Sequence, residues 1–525
     1  MKNKLLIITA SYVFAIGCNN DKNQSEEELI KRAHEIHSKV LTLDTHADTP
    51  LRMIEPGFDM SVRHDPKETG SKVDYPRMKE GDLDAIFFAA FVAQDIRDDD
   101  GNGRAKSLCL QMIDSITTSI DRNSDKVGLA LNPDDAYALE KEGKHAIYIG
   151  IENGYPIGSD ISNVELYFNK GVRYITLVHS SNNDLADSAT DPDGMEHNGI
   201  SDLGSKVIGE MNRLGIMVDV SHGNDSVFYD AIKISKAPII ASHSNARAVT
   251  NHKRNFTDEM LKLIAKNRGV VQLTMLSNYL RDAKPNVKRD SALAAFRSNM
   301  KAVSEMNIDE RDDYREKINL INKQYPDPSA NVGHVVDHID HIVKIAGIDH
   351  VGIGCDFDGG GGIDGVFDVS EIKNITVELV RRGYNEAQIE KIWGGNLLRV
   401  FKEVQEYAQK NAKSFLDSIK NNLAETYRYY LQDGYEIYVG DEKLTPLDPL
   451  FLMPNCKFLK NVGRGTVISD YKHSIKSEKH GKKFDVNITV VKLDSLKLLS
   501  NKKEARKNGI NEAATETSCF GETSI

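Results

Sequence analysis

The stretch "LTLDTHADTP", residues 41–50, runs as an apolar strand into His46 and Asp48. Positions i and i+2 of a strand point the same way, so this imidazole and carboxylate converge on one object beyond the strand end. Both are ordinary zinc ligands. The same chemistry returns at the ends of other apolar runs. Glu152 closes "AIYIGIE", His179 "RYITLVH", His222 "IMVDVSH", His243 "PIIASH" and Asp356 "HVGIGCD". Each alone has an ordinary explanation: a core histidine bonded to backbone, a glutamate capping the next helix, or an aspartate in the turn "DFDGGGG", whose glycines permit positive φ. Together they are costly to bury unless paired or bound to metal. Four histidines with three carboxylates exceed one tetrahedral site and suit two metals with a shared carboxylate and a bridging hydroxide. That arrangement performs metal-assisted hydrolysis, but the spacing does not name the substrate.

These groups meet only if their strands share an end. Eight apolar runs, 40–46, 85–92, 146–152, 173–179, 216–222, 238–243, 269–275 and 350–356, alternate with stretches of helical period such as "LGSKVIGEMNRLG". Near-continuous apolar strands separated by helices predict a parallel sheet. Eight of them predict an α/β fold, a (β/α)8 TIM-like barrel, whose functional groups stand at the carboxyl ends of the strands. The chain has 525 residues, 40% hydrophobic and 28% charged, with a formal net charge of −11. This is globular composition without the basic balance of a nucleic-acid binder.

The N-terminus, "MKNKLLIITASYVFAIGCNN", has basic residues, an apolar run too short to span a bilayer, and small residues before Cys18. It reads as a signal peptide over 1–17. "AIGC" resembles a bacterial lipobox, in which Cys18 would carry the lipid, although an ordinary signal with a chance cysteine fits the same residues. The polar stretch that follows reads as a tether over 18–30. The expected location is therefore the bacterial cell envelope, secreted and lipid-anchored in the periplasm or on the outer membrane. Cys109, Cys355, Cys456 and Cys519 are scattered without CxxC spacing, so neither a disulfide scaffold nor a cysteine zinc site is indicated.

Taken in order, "DTHADTP", "IGIENGYPIG", "RYITLVHSSNN", "VDVSHGN", "APIIASHSNARAV", "HKRNFTDEML", "DHIDHIVKIAGIDHVGIGCDFDGG" and "GGNLLRVF" resemble the membrane (renal-type) dipeptidase family of zinc peptidases, within the wider amidohydrolase group. The resemblance covers roughly residues 27–410. It implies two zinc ions per chain, the first held by His46 and Asp48, the second by His222 and His243, with Glu152 bridging them. It makes His179 a catalytic histidine that contacts the substrate and the reaction-centre oxygen. Arg254 becomes the grip on the substrate's free carboxylate, and Asp356 the acid/base aspartate. Read from the residues alone, Arg254 is an ordinary surface arginine. The implied reaction is hydrolysis of dipeptides, including those with a D-residue at the second position, by a metal-bridging hydroxide. The implied partners are small peptide substrates, the membrane through the N-terminal lipid, and a second copy of the chain in a homodimer.

Two segments depart from this pattern. Residues 276–333 form a long, charged, largely helical excursion between the seventh and eighth strands, either a lid over the barrel mouth or a solvated surface insertion. Residues 411–525 follow the barrel (31–410) as an appendage of mostly β or mixed character. Two other readings compete with a dipeptidase: a binuclear amidohydrolase acting on N-acyl-D-amino acids, lactams or esters, and a catalytically silent binding lipoprotein of the envelope.

Overall fold

The computed structural model describes residues 25–426 apart from short stretches between 283 and 328, and beyond them residue 431, residues 436–439 and 442–445, and the strands Thr466–Lys476 and Lys483–Lys492. The expected signal peptide and Cys18 lie outside the described residues, as do Cys456 and Cys519.

Eight parallel strands follow one another around the sheet: β1 (Leu43–Ala47), β2 (Ala85–Phe91), β3 (His145–Glu152), β4 (Val172–Thr176), β5 (Met217–Asp219), β6 (Ile240–Ser244), β7 (Val270–Leu273) and β8 (Val351–Ile353). The longest ladder joins β2 and β3, from Ala85 opposite Ala146 to Phe91 opposite Glu152. Among the described residues, no strand ladder joins β8 to β1. The residues just past β8 close the ring instead. The Asp356 N–H donates to the His46 carbonyl at 3.0 Å, and the Asp48 N–H donates to the Phe357 carbonyl at 2.8 Å. The result is a nearly closed barrel of the (β/α)8 type.

Inward-facing residues fill the lower barrel. Leu43, Phe87, Tyr148, Tyr174, Met217, Ile240 and Val270 form one buried cluster, sealed from below by Leu397, Val400 and Phe401 of the helix Asn396–Thr426. Phe87 stacks on Tyr148 with ring centres 4.6 Å apart, and Tyr174 lies 5.2 Å from Phe87. Gly150 makes room for this layer, since a Cβ there would sit 2.2 Å from the Tyr174 ring. A larger, second cluster lies between the sheet and the outer helices, so the strands are apolar on both faces.

The structure refines the sequence reading in three places. The strands are shorter than the apolar runs: β4, β5 and β8 stop at Thr176, Asp219 and Ile353, so His179, His222 and Asp356 stand on the loops that follow. His222 and Asp356 adopt φ of 68° and 62°, a left-handed backbone that no ladder accommodates. A further strand, Val127–Leu129, pairs with the first half of β3; three residues are too few to show a period. Finally, a helix starts at Glu26, inside the stretch assigned to the tether. It is closed by a capping box in which Ser25 Oγ accepts from Glu28 N–H at 3.2 Å and Glu28 accepts from Ser25 N–H at 3.0 Å.

Within the excursion, the first turn Ser277–Leu280 packs against the barrel, and Ala330 N–H donates to Ser277 Oγ at 2.9 Å, closing the base. Helices Val287–Arg297 and Ile308–Gln324 touch through Phe296 and Tyr314, 5.4 Å apart, and the first of them buries no residue. That helix is solvated. Contacts divide the chain between Gln409 and Lys410. In the second unit, Tyr438–Val439 pairs antiparallel with Glu442–Lys443, and Thr466–Lys476 with Lys483–Lys492. Among the described residues, no helix is long and apolar enough to cross a membrane.

Candidate metal centre

The upper barrel gathers the predicted groups. Glu152, at the end of β3, is buried at the centre and divides its two oxygens. Oε2 lies 3.6 Å from His46 Nε2, while Oε1 lies 3.0 Å from His222 Nε2, 3.3 Å from His243 Nε2 and 3.9 Å from His179 Nε2. His46 Nε2 is also 3.7 Å from Asp48 Oδ1. Three overlapping donor groups each fall within 4.8 Å: His46 with Glu152 and His243, Glu152 with His179 and His222, and His46 with Asp48 and Asp356. Of the residues the sequence singles out, all but Arg254 and Cys18 belong to these groups.

The donor set fits a metal. Among the described residues, His46 Nε2 and Asp48 Oδ1 are buried without a hydrogen-bond partner, whereas most buried polar atoms in proteins have one. His222 Nε2 and His243 Nε2 face each other at 2.8 Å, a contact that needs either a shared proton or a cation. Electrostatics say the same. Burial, then the neighbouring Glu152, pushes the Asp48 carboxyl up to about 6. Burial also drives Asp356 well above the usual carboxylate range, with Asp48 and Glu152 adding to it. Burial holds His222 and His243 well below the usual imidazole range, helped at His222 by Arg254 and at His243 by His46. Burial opposes charge on His46 too, but Tyr174, Glu152 and Asp48 outweigh it and raise that imidazole. A divalent cation relieves the crowded carboxylates and bare imidazoles together.

Local structure explains each placement. Asp44 Oδ1 accepts from the N–H groups of His46 at 3.1 Å and Cys355 at 2.8 Å, locking β1 to the loop after β8. That loop turns through Asp356 and Asp358, both left-handed, and is pinned where Asp358 accepts from Thr49 Oγ1 at 2.7 Å and Lys72 N–H at 2.6 Å. Non-glycine residues in this region carry strain, and such strain gathers at functional sites. Arg254 is not a surface residue, being only 3% exposed. Its guanidinium donates to the His243 carbonyl at 3.1 Å and Ser244 Oγ at 3.3 Å, and lies over the Tyr279 ring at 5.6 Å.

Sequence reasoning missed Tyr174, Asp219, Ser242 and Tyr279. Tyr174 OH lies 2.8 Å from His46 Nδ1, and Ser242 Oγ 2.9 Å from His243 Nδ1. Asp219 had a readable signal, a carboxylate in the apolar strand "IMVDVSH".

Fold and site together define a barrel hydrolase built around a metal centre. A profile of the membrane dipeptidase family (peptidase family M19) matches residues 30–415, and the chain belongs to that family. It is a dipeptidase, a metallopeptidase that cleaves peptide bonds, which sets aside the silent binding protein. Dipeptidase tcpJ of Claviceps purpurea is 30% identical over 411 residues, 77% of this chain and 84% of that protein. The probable dipeptidase PvdM of Pseudomonas aeruginosa is 31% identical with a TM-score of 0.66, covering 73% of this chain and all of that one (100%). A metallopeptidase of Rhodobacter sphaeroides, solved with a phosphinate mimic of the dipeptide L-Ala-D-Ala, has a TM-score of 0.57 at 24% identity, covering 70% of this chain and 99% of that one. At that identity it speaks for the fold alone.

Proposed function

We propose that the chain is a zinc dipeptidase of the bacterial envelope that holds two ions, one on His46 and Asp48, the other on His222 and His243, with Glu152 between them. The supporting observation is the divided carboxylate of Glu152, with one oxygen toward His46 and the other toward His222 and His243. Bound zinc supplies Lewis acidity to the scissile carbonyl and makes water a usable nucleophile at neutral pH. His179, with a side chain 24% exposed beside this buried cluster, donates to the developing oxyanion. Asp356 accepts the proton of the attacking water and hands it to the leaving amine nitrogen. Arg254, held by Ser244 and the His243 carbonyl, grips the terminal carboxylate and fixes which amide lies over the centre. A clamp that reads the carboxylate and not the side chain next to it leaves room in this proposal for a D-residue at the second position, which a panel of L,L- and L,D-dipeptides tests.

The test compares one dipeptide in free and C-terminally amidated forms. The amide should be the poor substrate of the unmodified enzyme. Arg254→Ala should lower kcat/KM for the free form about 10- to 100-fold, the range for a lost charge-assisted bond, and narrow the gap between forms. Arg254→Lys keeps the charge but loses the fork, and should be damaged as well. Equal handling of both forms by the unmodified enzyme would remove the clamp and favour the broader amide hydrolase. Elemental analysis should find two zinc equivalents per active chain.

The envelope location rests on "AIGC" and the polar residues after Cys18. Cys18→Ser should move the protein from the membrane to the soluble fraction; unchanged partitioning would count against lipidation.

A further inference from the structure

We propose that Asp219 and Ser242 are positioning residues that fix the tautomer of His243 and thereby set the affinity of one of the two ions. The inference rests on the two-ion reading above.

All three side chains are fully buried. Asp219 accepts four hydrogen bonds from donors on three strands and their ends. Oδ1 takes the backbone N–H groups of Ser221 at 3.0 Å and Ser242 at 2.9 Å; Oδ2 takes the hydroxyls of Thr176 at 2.5 Å and Ser242 at 2.6 Å. A serine hydroxyl has one proton. Ser242 gives that proton to Asp219, so toward His243 Nδ1, 2.9 Å away, it acts only as acceptor. His243 therefore carries its proton on Nδ1 and presents a bare Nε2 to Glu152 and His222. The opposite tautomer would aim an N–H at the metal position. His222 has no such guide, because its Nδ1 is buried without a partner. Of the pair facing each other at 2.8 Å, His243 is the one held in advance.

The geometry makes Asp219→Asn more than a loss of charge. Asparagine has one acceptor oxygen and an NH2 that donates. The two backbone N–H groups cannot turn away, whereas the two hydroxyls can rotate, so the oxygen goes to the backbone and the NH2 to the hydroxyls. Ser242 then accepts a hydrogen bond from Asn and turns its own hydroxyl toward His243 Nδ1, which at 2.9 Å is nearer than the other acceptor, Ser221 Oγ at 3.3 Å. That drives the imidazole to the wrong tautomer.

The experiment titrates the zinc-loaded protein with a chelator while counting the zinc released per chain. The unmodified protein should hold two equivalents. In Ser242→Ala and Asp219→Asn, one equivalent should come off at about 10- to 100-fold lower chelator strength, the usual cost of a lost outer partner of a metal-bound histidine. The other equivalent should stay as tightly held as before. Ser242→Thr keeps the hydroxyl and should restore the tight binding. Unchanged release of both equivalents in both variants would overturn the proposal. So would equal weakening of both ions with a lowered unfolding temperature, which is what a merely structural role predicts. Fewer than two equivalents in the unmodified protein would defeat the two-ion reading instead; the effect of Ser242→Ala on the remaining ion would still judge the His243 tautomer.

Discussion

Glu152→Gln should abolish nearly all turnover and release metal. The carboxylate reaches toward His46 with one oxygen and toward His222 and His243 with the other, at 3.6, 3.0 and 3.3 Å. An amide keeps one of those oxygens and turns an NH2 toward the other set, where two bare imidazole nitrogens already need a cation. A two-metal clamp is worth several kcal/mol of barrier, and each 1.4 kcal/mol is tenfold, so the loss should be about 10³-fold or more. The check is kcat beside zinc content on the same preparation, with circular dichroism to show a folded chain. Normal turnover in a folded Glu152→Gln protein would end the bridging role.

Asp356→Asn should do something different, keeping the two proposed ions while turnover falls by about 10²- to 10⁴-fold, the usual worth of a positioned proton carrier. The substitution suits the site, since asparagine tolerates the left-handed backbone that Asp356 adopts at φ 62°. The competing role is concrete, because Asp356 lies with His46 and Asp48 in one of the donor groups. Zinc content separates the two roles. Loss of one equivalent would make Asp356 a ligand, whereas full zinc with little turnover would leave it the acid and base.

The sequence carried the barrel because strands buried on both faces read as unbroken apolar runs. Those runs outlast the strands, which is why His179, His222 and Asp356 look like strand ends in the sequence and stand on loops in the fold. Nothing in the letters of "VSH" or "GCD" announces a left-handed histidine or aspartate. The donor residues were legible by type and position. Their proposed division between metals and substrate rests on the family resemblance alone, since seven clustered imidazoles and carboxylates look alike on paper. Arg254 reads as a surface charge in "HKRNF", and its burial depends on Ser244, Tyr279 and the His243 carbonyl meeting around it. Ser242 and Tyr174 stayed hidden for the same reason. A serine beside a histidine is unremarked in one dimension, and Tyr174 fits only because Gly150, on the neighbouring strand, has no side chain.

The closing of the ring sets a schedule for the chain's birth. Asp44 and Cys355, joined across the seam, are 311 residues apart. Whether the chain emerges from a ribosome or from an export channel, one side of the seam arrives well before the other. Through that interval β1 is a free edge, open to pairing with other chains. Its five residues include Asp44 and His46, and so short and polar an edge is a poor template for aggregation. The same interval keeps His46 and Asp48 waiting for Asp356, so the centre is among the last things the growing chain can assemble.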